Sequence, residues 1–416
     1  MTNSRKSALR VSRDPSLDRF RCDDDDYHRW RTSEVDAGAR VLTVASKPGV
    51  PGFGDLDPAT GLLLDHLEIE DGDTVCDLHC GTGAVGVSAA LRTSGTVSMC
   101  DANLLSVEAA RRTAESNGAD RASVTFGRAA DALGAERVDV AVVRLPKGRI
   151  PTLRLMWDAY HALRPGGRCY LAGANDEGVR TALRQLEQLF GGASVLGYRG
   201  GNRVGMAVRP DAEAGRTGDF DMPWLDPAVF HELRVEARGL EIDVRSRPGV
   251  FSWDRLDAGT RALLDVMDVE GGGAILDPGC GFGIIGAVAA RLAPEARVTM
   301  TDVNVDAIES SRRTIAENGL AGRCEVVASD IAAVIPDRSI DLVLTNPPFH
   351  TGKATDLLVA AQFVRDAARV LKPGGRLVLV ANRTLPYELW LRECFGSFHT
   401  AFDGRQFKVL SAVRAG

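Results

Sequence analysis

The chain has 416 residues, 44% of them hydrophobic and 25% charged, with a formal net charge of −6 at pH 7 and a pI near 5.7. That is enough apolar sequence for two cores of ordinary size. The pattern excludes a membrane-spanning chain, since no stretch approaches ~20 uninterrupted apolar residues, and the charge excludes a chain that coats itself in nucleic acid through overall basicity.

The opening residues lack the apolar core of a secretion signal. The eight cysteines (Cys22, Cys76, Cys80, Cys100, Cys169, Cys280, Cys324 and Cys394) are scattered, several within predicted strands or glycine loops. Both features lead to the expectation of a cytoplasmic protein with reduced thiols. Cys76, His79 and Cys80 lack a second Cys/His pair at finger spacing, so no metal is expected. Only six of the 50 basic residues are lysine. Arginine suits bidentate phosphate binding and base stacking, although a GC-rich genome explains the excess equally well.

Residues 1–26 are polar, with Arg5, Lys6, Arg10, Arg13, Arg19 and Arg21 ahead of the acidic run Asp23 to Asp26, and read as a disordered tail or a basic arm that touches RNA. From Tyr27 to residue 210, strand and helix patterns alternate. Ser46-Lys47-Pro48-Gly49-Val50 leads to a helix near Asp57 to Leu67, and the strand from Thr74 runs through Asp77 into the turn Leu78-His79-Cys80-Gly81-Thr82-Gly83. Further strands are predicted over Thr96 to Cys100, ahead of Asp101, over Val138 to Val143, and over Arg168 to Ala172 after Arg164-Pro165-Gly166-Gly167.

The order then repeats. Ser246-Arg247-Pro248-Gly249-Val250 stands 200 positions after Ser46 to Val50, Asp277 stands 200 after Asp77, and Asp302 stands 201 after Asp101. Lys372-Pro373-Gly374-Gly375 follows Arg164 to Gly167 by 208. Offsets this steady mean a duplicated domain. The predicted fold is α/β: two duplicated doubly wound Rossmann-like domains, 27–210 and 227–416, each a mainly parallel sheet with helices on both faces, joined by a linker over 211–226.

In the second copy Ala274-Ile275-Leu276-Asp277-Pro278-Gly279-Cys280-Gly281-Phe282-Gly283 is a strand entering a glycine turn, with a helix predicted over Ile284 to Leu292. Gly279 and Gly281 let the backbone approach a ligand at the helix N-terminus, a pattern many nucleotide folds share. Asp277 ahead of the turn favours a cation over a phosphate. Asp302 at the end of the next strand is placed to hold ribose hydroxyls, and Asp330, after the strand Glu325 to Ala328, to reach an adenine amine or to cap a helix. An adenosine bearing a positive sulfonium, S-adenosylmethionine, fits this set better than a dinucleotide.

Ile340-Asp341-Leu342-Val343-Leu344-Thr345 reads as a buried parallel strand cut off by Asn346-Pro347-Pro348-Phe349-His350. The stiff loop sits where an open α/β sheet binds ligands. If the Asn346 side-chain oxygen and the Pro347 carbonyl each accept one N–H of a planar exocyclic amine, the nitrogen lone pair is steered toward an electrophile while Phe349 covers the ring. Taken alone, the tetrapeptide could be no more than a strand-ending turn. His350 could relay the released proton or serve as a hydrogen-bonding prop.

Together these elements resemble class I methyltransferases, and within them the tandem-domain ribosomal RNA guanine-N2 methyltransferases of the RsmC and RlmG type. The resemblance spans residues 27–416 and rests on the paired domains, Asp277 to Gly281, Asn346 to His350, Val380-Ala381-Asn382-Arg383 with Leu385 and Tyr387, and the late strand Arg405-Gln406-Phe407-Lys408-Val409. It implies that the C-terminal domain binds S-adenosylmethionine and methylates guanine in ribosomal RNA or a ribosomal subunit. It also implies that the N-terminal copy is degenerate and helps folding or holds RNA. In that copy Arg144-Leu145-Pro146-Lys147 takes the place of Asn346 to Phe349, so chemistry there is not expected. Retained Asp77, Gly81, Gly83 and Asp101 leave cofactor binding open, against which His79 replaces a glycine.

Lys353, Arg383, Arg405 and Lys408 are expected around the C-terminal mouth, and Arg144, Lys147 and Arg149 around the N-terminal one, as RNA contacts or as solvated charges. Phe251 and Trp253 could stack on a base or pack across the domain boundary. A monomer is expected, with no metal and no membrane. Other amine acceptors (adenine N6, a protein glutamine amide, a small metabolite) and a non-catalytic RNA-binding or assembly factor are the remaining readings.

Overall fold

The structure, a computed structural model, describes residues 24–38, 40–213, 215–270, 273–348 and 354–416. The same assembly occurs twice. Each half opens with a two-stranded antiparallel hairpin, Arg31–Asp36 with Val41–Ser46 in the first and His231–Ala237 with Leu240–Ser246 in the second. A seven-stranded sheet follows in each. In the second half its spatial order is Cys324–Ala328, Arg297–Asp302, Ala274–Pro278, Ile340–Thr345, Leu371–Asn382, Phe407–Val413, His399–Asp403. The first five strands pair in parallel and the last two pairings are antiparallel. The first half has the same order, as the duplication requires.

Chain order reverses where Ala274–Pro278 pairs with Ile340–Thr345. The carboxyl edge at that reversal is the ligand-binding crevice of an open α/β sheet. The two strands run through the middle of the sheet and are buried on both faces, which is why Ile340–Thr345 reads as one apolar run. Leu342 and Leu344 enter the core on one face and Val343 on the other. Helices form where expected, Pro58–His66 behind an Asp57 cap and Ile284–Leu292 behind Gly283, whose φ of +80° is the left-handed conformation that favours glycine.

The segment 211–226 is not a bare connection. It makes two 3-10 turns, Gly218–Phe220 and Pro223–Leu225, and buries Phe220 and Leu225 against the first half's core. Most of the expected N-terminal tail, with Cys22, lies outside the described residues; Asp24–His28 forms a short helix carrying the buried Tyr27.

The halves meet in a reciprocal contact. Asn103 and Asn304 form an antiparallel bridge in which Leu104 N–H donates to the Val303 carbonyl at 2.8 Å and Val305 N–H to the Ala102 carbonyl at 2.9 Å. Equivalent loops of the two copies therefore face each other, directly after Asp101 and Asp302. Beside the bridge, the buried Asp306 binds Arg128 and Arg154 of the first half and Arg247 of the second. Burial opposes its ionisation, but the Arg154 and Arg128 guanidiniums outweigh burial and hold its carboxyl at about 2.

Candidate active site

Asn346 leaves the strand Ile340–Thr345 at the sheet's reversal point. Its side-chain amide is oriented by the helix Ala258–Val266. Asn346 Nδ2 donates to Thr260 Oγ1 at 2.9 Å and to Asp257 Oδ2 at 3.2 Å, while Asp257 also caps that helix by accepting the Thr260 N–H at 2.9 Å. An ionised carboxylate accepts and never donates, so the amide NH₂ must face Asp257 and the oxygen must face away. That oxygen, Asn346 Oδ1, is buried and has no hydrogen-bond partner among the described residues. A buried carbonyl without a donor costs about 1–3 kcal/mol. Among the described residues it is an acceptor open to an incoming N–H. Pro347 is buried beside it; Phe349, His350 and Lys353 lie outside the described residues.

The donor-side residues converge on the same edge. Thr345 Oγ1 donates to the Pro278 carbonyl at 2.8 Å, tying the end of the acceptor strand to the strand that carries Asp277. Asp277 is fully buried; one carboxylate oxygen accepts the Gly286 N–H at 3.0 Å and the other is unpartnered among the described residues. Desolvation, reinforced by the charge of Asp302, pushes its pKa up to about 7. Gly279 has φ +71°, and a Cβ there would stand 3.2 Å from the Phe363 ring, so a side chain would close the cradle. Asp302 accepts the Gly281 N–H at 3.1 Å and the Asn304 N–H at 2.9 Å, which shapes the turn. Desolvation raises its pKa too. Asp330 follows the neighbouring strand, but both of its oxygens are engaged from the first half, by Tyr27 and Lys47 at 2.5 Å each. An open glycine cradle and an orphaned buried carboxylate oxygen fit a ligand with a cationic centre and no phosphate.

Two residues of this site, Asp257 and Thr260, escape a motif-led reading of the sequence. The available signal was the repeated helix start, Asp57-Pro58-Ala59-Thr60 and Asp257-Ala258-Gly259-Thr260, an Asp cap three residues ahead of a Thr in both copies.

In the first half the corresponding places are filled. Arg144 takes the position of Asn346 and forms ion pairs with Asp57 at 2.6 Å and Glu177 at 2.8 Å. His79, in place of Gly279, has its Nδ1 3.1 Å from the Arg144 carbonyl. Arg128 takes the position of Asp330 and reaches across the junction to Asp306 and Glu309, both at 2.7 Å. None of the three replacements keeps the chemistry of the residue it replaces: an amide becomes a guanidinium, a glycine an imidazole and a carboxylate a guanidinium.

The basic residues expected at the mouth are not equivalent. Arg383 is neutralised by Asp403, and Lys408 by Glu388 at 2.7 Å. Arg405 is exposed with no ion pair among the described residues and lines a groove of about 720 Å³ with Arg261, Phe402 and Phe407. Arg149 pairs with Asp219 at 2.8 Å. Trp253 packs edge-on against Trp224 at 5.2 Å and His231 at 5.3 Å, so it belongs to the boundary between halves, whereas Phe251 is 59% exposed. Among the described residues no group of three His, Cys, Asp or Glu is disposed to hold a metal, and no helix is long and apolar enough to cross a membrane.

The family model described as methyltransferase small domain matches the chain twice, over residues 41–204 and 241–411. Ribosomal RNA small subunit methyltransferase C of Serratia proteamaculans is 34% identical over 70% of this chain and 80% of its own length. The protein of the same name from Hahella chejuensis is 37% identical over 66% and 78%. Among solved structures, the Thermus thermophilus 16S rRNA N2 G1207 methyltransferase (RsmC), in complex with AdoMet and guanosine, superposes with a TM-score of 0.77 at 28% identity, covering 94% of this chain and 99% of that one.

Proposed function

The chain belongs to the methyltransferase small domain family and, within it, to the small-subunit ribosomal RNA methyltransferases, and from that premise we infer that it moves a methyl group from S-adenosylmethionine to the exocyclic N2 amine of a guanine in ribosomal RNA. The observation that carries the assignment of roles is the orphaned Asn346 Oδ1, an acceptor whose direction is set by Asp257.

When bound, S-adenosylmethionine supplies an electrophilic methyl carbon on a positive sulfonium. Asp277 would face its cationic end, Gly279 and Gly281 would let the backbone close on it, and Asp302 and Asp330 would hold ribose and adenine. Asn346 Oδ1 accepts one N2–H of guanine and the Pro347 carbonyl the other. Held this way, the amine turns its lone pair out of conjugation and toward the methyl carbon. As the new N–C bond forms and the C–S bond breaks, N2 becomes positive and loses its extra proton to water. Asn346 stabilises that charge through its carbonyl, and the amine becomes acidic enough to need no base.

The RNA strand next to the target guanine runs along the groove beside the helix Ala258–Val266, with Arg405 on phosphate and the half-exposed Phe402 on a base. The chain acts as a monomer, a reading supported by the pairing of its two halves with each other through the Asn103–Asn304 bridge. It acts in the cytoplasm, supported by free thiols at all seven described cysteines.

The test of the roles is Asn346→Ala. Donor affinity on titration should stay within about twofold of wild type while turnover falls by about 10²–10³, the loss typical of one preorganised polar group. A variant with wild-type turnover would remove Asn346 from the mechanism.

A further inference from the structure

The adenine end of the donor site is built partly from the half that does no chemistry. Tyr27 Oη donates to Asp330 Oδ1 at 2.5 Å and Lys47 Nζ to Asp330 Oδ2 at 2.5 Å, from residues 303 and 283 positions away in the chain. The contact is enclosed: the Lys47 side chain is 6% exposed and that of Asp330 12%. Lys47 Nζ also lies 4.5 Å from the centre of the Tyr27 ring, so the two donors brace each other. Burial and the Asp330 charge push the Tyr27 hydroxyl well above its ordinary range, which keeps it protonated and a donor.

Asp330 adjoins the site. Ser329 N–H donates to the Asp302 backbone carbonyl at 3.0 Å, so Asp330 follows directly on the residue bonded to Asp302, the one expected on the ribose. The equivalent position of the first half crosses the same junction with a different charge arrangement. Arg128 occupies the place of Asp330, also crosses the junction, and there meets acids near Arg247, the counterpart of Lys47. The cross-junction reach survives in both copies, and the lysine-to-carboxylate pairing occurs where the glycine cradle is intact.

An ionised carboxylate has about four lone-pair sites, so two donors leave one free on each oxygen. We propose that Tyr27 and Lys47 are positioning residues of the second half's donor site, fixing Asp330 so that its remaining lone pairs accept the 6-amino N–H of the donor's purine. The donor site then spans both halves, and selection of a 6-aminopurine depends on the first. This rests on the reading of Asp330 as the purine contact.

Full-length Lys47→Met and Tyr27→Phe separate positioning from a merely structural bridge when titrated with two ligands, S-adenosylhomocysteine and S-inosylhomocysteine. The second carries a carbonyl oxygen where the first carries the amine, and so sets oxygen against carboxylate. Wild type should prefer the adenosyl compound by at least about tenfold, and each variant should shrink that ratio by about fivefold to tenfold, while Lys47→Arg keeps it. A Lys47→Met or Tyr27→Phe protein that melts at lower temperature yet retains the full ratio overturns the inference and leaves only a bridge between halves. Asp330→Ala tests the underlying reading separately. If it leaves the ratio unchanged, Asp330 is not the purine contact; if it collapses the ratio while Lys47→Met and Tyr27→Phe do not, the reading of Asp330 stands and the positioning role falls.

Discussion

Asp257 accepts the Asn346 amide NH₂ at 3.2 Å, and the Asn346 carbonyl oxygen is left buried without a partner among the described residues. One residue thus caps a helix and sets which way the Asn346 amide faces. The two jobs separate by mutation. Asn caps a helix about as well as Asp, but its side chain also donates and so permits the flipped Asn346 amide. Asp257→Asn should melt within about 0.5 kcal/mol of wild type yet lose about tenfold or more in single-turnover rate. Asp257→Ala should lose the same rate and about 1 kcal/mol of stability besides. Equal rates for wild type and Asp257→Asn would show that the amide needs no such anchor.

Asp277 gives the donor site a pH dependence whose sign follows from its environment. Desolvation holds its carboxyl at about 7 in the folded protein, against 3.8 for a free aspartate. Between these values the folded state binds the proton and the unfolded state does not, so stability contributed at this site falls as pH rises from about 4 to about 7. A cation beside the carboxylate favours the ionised form. Donor affinity should therefore rise as pH rises toward 7, by up to about tenfold per unit, and level off above it. Asp277→Asn should flatten that profile; a wild-type affinity independent of pH from 5.5 to 8 would contradict the assignment.

Arg405, with no ion pair among the described residues, should matter more to RNA than the paired Arg383 and Lys408. Arg405→Ala is expected to weaken RNA binding, lower the slope of log affinity against log salt by about 1, and leave donor affinity unchanged. Lys408→Ala should change the slope by less. Filter binding across a salt series distinguishes them, and an unchanged slope for Arg405→Ala would take the strand off this groove.

His79 at the cradle and Arg128 at the adenine position lead to an expectation of one donor bound per chain. Calorimetric titration of wild type should give that stoichiometry. Asp302→Ala should weaken the single event by about tenfold or more. Two binding events would mean that the first half still takes the donor.

The sequence revealed what depends on local pattern. The apolar run before Asn346 reads as a strand buried on both faces, and the prolines after it mark where the strand ends. The glycines after Asp277 marked a turn with left-handed backbone, and the near-constant spacing of Asp77 and Asp277 exposed the duplication. The missing pieces depend on contacts between distant residues. Asp257 meets Asn346 from 89 positions away. Asp330 was readable as a strand-end carboxylate, but no local pattern shows that Tyr27 and Lys47 reach it from the other half. Arg128 belongs to no motif, and only the register of Ala122–Phe126 against Val97–Asp101 gives it the place of Asp330 in the duplication. The buried Phe220 and Leu225 likewise turned an apparent linker into part of the first half's core.

The most direct test of the central claim is product analysis. The purified protein is incubated with labelled S-adenosylmethionine and small ribosomal subunits, or their RNA, from a strain lacking the gene; the RNA is then digested to nucleosides and resolved by mass spectrometry. N2-methylguanosine carrying the label, absent with the Asn346→Ala protein, is the expected result. Label in N6-methyladenosine, or no label in any RNA fraction while the donor still binds, would contradict the assignment of guanine N2 as the acceptor.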